Sequence, residues 1–503
     1  MFLAMSNSAI SLHSHQVVRS LLQTNYILDT TETETLCSVI QGYQEDQNFI
    51  EAQFSKTTDS REFEQLEQQK HAVDSRLEHA HGLLAPIRRL PDEILREIFI
   101  MASHKSRAGD GDADAFPLPE TNQTGDYLGH TAVIFLRICR RWQRIAFTTP
   151  RLFTQILVSP TGIHQWADEM PQLFQYSGAL PLELFLCKLE GPICRNSRPF
   201  RTVLELFHAH IHRIKFVAMA LCPWMDLVCG SNPTLNMPAM EAFELHSSCR
   251  GALSGATRLH APKLRRLTIA KHIPRSYWEY AICFGKQLEY FANRCNAYGG
   301  ERIFGIFSRC PNLEDCSLIY SDIASEDILP GRYLHLPRLR RLELEWRTYG
   351  GLKVLPYFLL RLHTPSLQEL SISTNEDYED QGLSSLLHSW IQRSGASLQT
   401  LSLNGISMRT DKLQSLLKIT PDLKKLALEH CQLSEDPVTH LYGYEEPDLC
   451  PRLSIIDFKG ANLPIMKLLK AIRSRLVVPE GRLHSALLHT VQLPYMGQTQ
   501  LDT

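Results

Sequence analysis

The sequence is short of chemistry. It holds no Gly-x-Gly-x-x-Gly, no Gly-x-x-x-x-Gly-Lys, no His-Glu-x-x-His and no Gly-x-Ser-x-Gly. The common dinucleotide, phosphate-loop, zinc-peptidase and serine-hydrolase signatures are therefore absent. It has no charge surplus either: 52 Lys and Arg stand against 54 Asp and Glu. A near-neutral chain has no global electrostatic pull toward nucleic acid or an anionic membrane surface. No apolar run reaches membrane-spanning length, and the first residues lack the basic and apolar regions of a signal peptide. The 13 cysteines are odd in number and include no Cys-x-x-Cys. That fits reduced thiols, so the expected compartment is cytoplasmic or nuclear.

What is present is length and pattern. A chain of 503 residues exceeds one ordinary hydrophobic core, so several domains are expected. Residues 1–35 are polar and rich in Ser and Thr, and are read as a tail. Residues 36–84 hold no proline. Ile40, Tyr43, Gln47, Ile50 and Phe54 step by threes and fours, and the stepping restarts at Phe63 and runs to Leu84. This heptad-like seam fits weak self-association through 36–84 or a helix folding back on its own domain. Gln47 and Lys70 sit in the seam and weaken it.

Residues 86–99 read Pro-Ile-Arg-Arg-Leu-Pro-Asp-Glu-Ile-Leu-Arg-Glu-Ile-Phe. Ile94, Leu95, Ile98 and Phe99 share a helical face. Pro91 suits a first helical turn, and Asp92 and Glu93 favour the positive end of the helix dipole. Residues 103–129, with Gly109-Asp-Gly-Asp-Ala-Asp and Pro117, form a loop insertion. Its Asp110, Asp112 and Asp114 have a calcium-loop spacing but lack the turn glycine and the final acid, so no metal is expected. A second helical stretch spans 131–147, with Phe135, Leu136, Cys139, Trp142, Ile145 and Ala146 on one side. Arg137, Arg140, Arg141 and Arg144 read as its solvated face.

Residues 86–156 resemble an F-box, in the F-box-like form common in fungal proteins. The carriers are Leu90-Pro-Asp-Glu-Ile-Leu-Arg-Glu-Ile-Phe, then Cys139-Arg-Arg-Trp, then Thr149-Pro-Arg-Leu-Phe. Ile138 replaces the usual Val and Phe153 the usual Trp. The resemblance implies docking to a Skp-type adaptor subunit, and through it to a cullin. It assigns the contact to Leu90, Pro91, Ile94, Leu95, Ile98, Phe99, Leu136, Cys139 and Trp142. Some of these must instead hold the helices together.

From residue 240 a Leu-x-x-Leu-x-Leu signature recurs, starting at 240, 264, 288, 313, 339, 367, 398, 423 and 453. Proline precedes most copies. The spacing is that of leucine-rich repeats. Each copy would give a short strand and a return segment, and stacking would bury the leucine rows. Leu182–Leu186 and Ile211–Phe216 read as divergent opening repeats, Leu463–Leu476 as a last return helix and Leu483–Leu493 as a terminal strand. The fold class expected is α/β: an N-terminal helical F-box, then a leucine-rich-repeat solenoid over 160–495 with parallel strands on a concave face, closed by a tail at 496–503.

Side chains alternating with the leucines would line that face. The candidates for binding a protein substrate are Arg266, Tyr290, Arg294, Tyr320, Arg341, Glu343, Trp346 and His430, with Ile319 beside them. Arginine and aromatic residues suit a protein-binding hot spot. His208, His210 and His212 would alternate along a strand edge, without a further ligand to complete a metal site. No catalytic residue and no cofactor is assigned. The expected function is a non-enzymatic substrate adaptor of a Skp–cullin–F-box-type ubiquitin ligase. The alternatives are an F-box-like repeat scaffold outside a ligase and a leucine-rich-repeat hydrolase or nucleotide switch with its catalytic domain within 1–85.

Overall fold

The computed structural model describes residues 15–22, 26–56, 60–103, 131–158, 170–186, 198–220, 234–246, 258–269, 282–294, 300–320, 333–346, 355–379, 382–431, 450–459 and 490–492. The insertion loop with its aspartates, the expected helix Leu463–Leu476 and the tail 496–503 lie outside them. The chain divides into two compact units, one of residues 1–157 and 164–182, the other of 158–163 and 183–503.

The first unit is helical. It begins with α1 (His15–Leu22), α2 (Thr30–Phe54) and α3 (Ser60–Leu84). The tail expected over 1–35 is thus corrected at α1 and again from Thr30. Asp29 caps α2: its carboxylate accepts from the Glu32 amide, and Glu32 returns the bond to the Asp29 amide, a reciprocal capping box. The heptad-like seam belongs to two helices, and they fold back on each other. Leu36, Ile40, Ile50, Val73, Leu77, Ala80 and Leu83 form their shared core, closed by Val18 of α1. The polar seam residues are bonded across the hairpin. Gln47 donates to Asp74 at 2.8 Å and Lys70 to Glu51 at 2.8 Å.

A second cluster follows. A 3-10 turn (Pro86–Arg89) leads into α4 (Asp92–Ser103). Then come α5 (Thr131–Ile138), α6 (Arg140–Phe147), a 3-10 turn (Pro150–Phe153) and α7 (Met170–Tyr176). The stretch expected as one helix over 131–147 is broken at Cys139. That residue is extended, with φ −157° and ψ 166°, and precedes α6 as its N-cap without a side-chain cap bond. The break lets α5 and α6 fold around α4. Phe99 stacks on Phe135 with centroids 4.3 Å apart and meets Trp142 at 4.6 Å. Leu95, Ile145, Leu152 and Phe153 complete this core.

The main sheet has thirteen strands in chain order, and from β3 onward they all belong to the second unit. They are β1 (Gln155–Val158), β2 (Leu182–Leu186), β3 (Ile214–Ala220), β4 (Ala242–His246), β5 (Arg266–Ile269), β6 (Tyr290–Asn293) and β7 (Asp315–Tyr320). After them come β8 (Arg341–Trp346), β9 (Glu369–Glu379), β10 (Thr400–Ser407), β11 (Lys425–Glu429), β12 (Ile455–Asp457) and β13 (Thr490–Gln492). The unit boundary falls within β1 and again within β2. From β3 onward every pairing is parallel. Short helices alternate with the strands, among them Arg198–His210, Gly300–Phe307, Leu383–Ser394 and Thr410–Lys418.

Each motif copy forms one strand, for a visible reason. The first residue of every copy, from Met240 and Leu264 to Leu423 and Leu453, is buried in the turn before its strand. The next residue continues a backbone ladder: the Glu241 amide donates to the Lys215 carbonyl, Arg265 to Glu241 and Glu289 to Arg265, and so on to Ser454. The two later leucines then point inward, as Leu342 and Leu344 do with no exposed surface.

Candidate docking site

Helix α4 divides its apolar residues between two faces. Leu95 and Phe99 are fully buried and Ile100 nearly so, which makes them core. Ile94, Ile98 and Met101 follow at i, i+4 and i+7 on another face. Ile94 is 48% exposed and Met101 70%, and Ile98 between them in sequence is half-buried. Helix α5 repeats the division. Ala132 and Phe135 are buried, whereas Ile134 and Ile138 are half exposed, at 51% and 50%.

The nine residues assigned to adaptor contact therefore separate. Leu95 and Phe99 hold the unit together and are corrected to core. Trp142 packs on Phe99 and is half-buried. Pro91 and Ile94 are exposed, and Leu90, Ile98, Leu136 and Cys139 keep part of their surface open. Met101, Ile134 and Ile138 were not assigned as contacts. Their signal was the continuation of the Ile94 stripe and a second isoleucine pair at i, i+4.

Arg141 fixes the start of α4. It was expected on a solvated face, yet its side chain is only 12% exposed. Its Nε donates to Oδ1 of Asp92 at 2.8 Å and its Nη1 to the Arg88 carbonyl at 2.7 Å. Its Nη2 donates to the Leu90 carbonyl. A planar fork suits this, because it aims several donors at once. Arg144 adds a bond to the other Asp92 oxygen at 2.8 Å. The hydrogen bond from Arg141, with the two guanidinium charges, holds the Asp92 carboxyl below its ordinary range. Arg88 in turn donates to the carbonyls of Leu21, Leu22 and Tyr26, which ties the α1 end of the hairpin to the turn before α4. Burial lowers its pKa.

On the open face of the sheet, register aligns a row across five strands: Arg266, Tyr290, Asp315, Arg341 and Glu369. Arg266 lies 4.4 Å over the Tyr290 ring, a cation–π contact. Arg341 donates to Glu369 at 2.9 Å and lies 3.7 Å from Asp315. Burial raises the pKa of Asp315 against the pull of Arg341 and Arg266, and it raises Tyr290 as well. Burial works to lower Arg341, but the Glu369 hydrogen bond and nearby carboxylates outweigh it.

Of the substrate candidates, Arg266, Tyr290 and Arg341 share this row, and Glu343 stands in the next. Arg294 follows β6, half-buried. His430 is exposed just past β11, at φ 49°. Trp346 is a correction: it is 1% exposed and points inward, because it has the parity of Leu342 and Leu344. Ile319 is likewise buried, at 6% exposure. Tyr320 stands opposite Trp346 in the register, and its side chain lies outside the described residues.

His208 and His210 lie in the last turn of a helix and His212 in a 3-10 turn, not along a strand. Among the described residues no group of three or more His, Cys, Asp or Glu could hold a metal ion, and no helix is long and apolar enough to cross a membrane. No family model and no curated protein matches the chain.

Proposed function

We propose that this chain is a substrate-recognition adaptor of a Skp–cullin–F-box-type ubiquitin ligase. The observation that carries the reading is the accessible apolar stripe Ile94, Ile98 and Met101 beside Pro91. It lies on a helix whose other face is fully committed to the core. An apolar row left open on a clamped helix is what a partner surface requires. The motif blocks at Leu90–Phe99 and Cys139–Trp142 name the partner as a Skp-type subunit. The sheet, with one strand per Leu-x-x-Leu-x-Leu copy, is read as a leucine-rich-repeat solenoid. Its open row from Arg266 to Glu369 is then the place for a protein substrate. In this reading the chain supplies proximity and orientation, and catalysis belongs to a recruited conjugating enzyme.

Co-purification with a Skp subunit tests the reading. The wild type is expected to recover it, and a Leu90→Ala/Pro91→Ala double variant to lose it. Equal recovery by both would refute the docking assignment and leave the scaffold alternative.

A further inference from the structure

His335 and His363 stand side by side on a short parallel pair of strands, Leu334–His335 and Leu362–His363, separate from the main sheet. Their Nδ1 atoms are 2.9 Å apart, with ring centroids at 5.0 Å and ring planes at 34°. From these observations we propose that His335 and His363 form a surface site for a divalent transition-metal ion of the nickel, copper or zinc class. The inference is independent of the ligase reading.

The spacing carries the proposal. A metal–nitrogen bond is about 2.0–2.1 Å. Two nitrogens 2.9 Å apart then subtend about 90° at the metal, the angle of neighbouring ligands in a square-planar or tetragonal site. That geometry belongs to nickel and copper. Tetrahedral zinc needs the two nitrogens at roughly 3.3 Å, a further opening of the pair. Neighbouring ligation requires each ring to turn about its side-chain bonds so that both lone pairs meet at one point. The pair lies at the surface, with His335 exposed, so that rotation is open to it.

Without metal, one Nδ1–H donates to the other Nδ1. On binding, that proton moves through water to Nε2 of the same ring, so two neutral imidazoles ligate through Nδ1 and no net proton is released. Each ring keeps an Nε2–H for solvent. Water or a partner's side chain would complete the coordination.

The backbone under the pair is fixed, which limits what the metal must organise. Leu334, Leu336 and Leu362 are buried, and the Leu336 amide donates to the His363 carbonyl at 3.0 Å. The Leu362 carbonyl accepts from Trp390 Nε1 and Arg393 Nη2, both at 3.1 Å. The Thr364 amide donates to Ser394 Oγ at 3.3 Å. A histidine recurs at this turn position in His260-Ala-Pro, His335-Leu-Pro and His363-Thr-Pro. His260 stands opposite Asn236, so it forms no second pair there.

The test is calorimetric titration of the full chain with Ni²⁺ after treatment with chelator. The wild type is expected to bind one equivalent that His335→Gln and His363→Gln each lose. His212→Gln is expected to keep it. The same ion should raise the unfolding temperature of the wild type and not of the two variants. No binding by the wild type, or an unchanged isotherm in either variant, overturns the proposal. Should a variant not fold, the wild type alone decides. Ni²⁺ should protect His335 and His363 from acylation by diethylpyrocarbonate, mapped by mass spectrometry, and equal acylation with and without Ni²⁺ refutes the site.

Discussion

Arg141 and Asp92 are joined at 2.8 Å across 49 residues of sequence, and the same guanidinium holds the carbonyls of Arg88 and Leu90. This one side chain sets where α4 begins and how the Leu90–Pro91 turn meets α6. Arg141→Ala should leave two backbone carbonyls without their donor and cost about 2–3 kcal/mol of stability. Arg141→Lys should recover less than half of that, because an ammonium cannot make the same fork. Urea unfolding of the three proteins checks both statements.

The Asp92 carboxyl is held below its ordinary range by the Arg141 hydrogen bond and the neighbouring guanidinium charges. A carboxylate whose folded pKa is depressed stabilises the fold above its unfolded value of about 3.9. That contribution is lost as the pH falls through the folded value. Asp92→Asn should therefore reduce stability at pH 7 and reduce the acid-induced loss. Unfolding midpoints of wild type and variant should draw together as the pH drops below 4. A constant gap down to pH 2 would contradict the clamp.

Side-chain parity on β8 gives an opposed pair of substitutions. Trp346 is buried, so Trp346→Ala should cost about 3–5 kcal/mol. Glu343 faces the open side two strand positions from Arg341, so Glu343→Ala should change stability by no more than about 0.5 kcal/mol. Thermal unfolding separates them. Similar losses for both would mean that the strand faces are assigned wrongly.

Gly405 sits at φ 70°, where a Cβ would strike the Thr374 carbonyl oxygen. It lies beside the register shift between β9 and β10. Gly405→Ala combines left-handed strain with that clash and should cost about 1–3 kcal/mol or more. Denaturant midpoints of the variant and the wild type test it.

Much of the strand pattern was readable because a parallel repeat leaves little choice. Each first-position leucine must be buried in its turn, so the spacing that placed Leu339 or Leu423 also placed its strand. The faces are less secure at strand ends: Trp346 has the inward parity of Leu342 and Leu344, whereas Ile319 has the open-row parity of Asp315 and is buried all the same. The break at Cys139 was hidden because Phe135, Cys139, Trp142 and Ala146 keep helical spacing straight across it. Nothing in the thiol marks an extended backbone. Helix α1 was hidden by the Ser- and Thr-rich composition around it, although its Val18 is buried against the hairpin core. Arg141 looks solvated in the sequence for a different reason: its partners are a carboxylate and two carbonyls about fifty residues upstream, and local periodicity carries no information about them.

The central claim is that the α4 stripe docks a Skp subunit. It is tested most directly by titrating a purified Skp subunit against the full chain and two single variants. Ile94→Glu places a charge in the stripe, whereas Phe49→Glu places one at a still more exposed apolar position on α2. Both residues are exposed, so each variant should keep wild-type stability within about 0.5 kcal/mol. The account predicts that Phe49→Glu binds as the wild type does and that Ile94→Glu loses about 2 kcal/mol or more, roughly thirtyfold in Kd. Wild-type affinity in the Ile94→Glu protein, or no binding by the wild type, would contradict it.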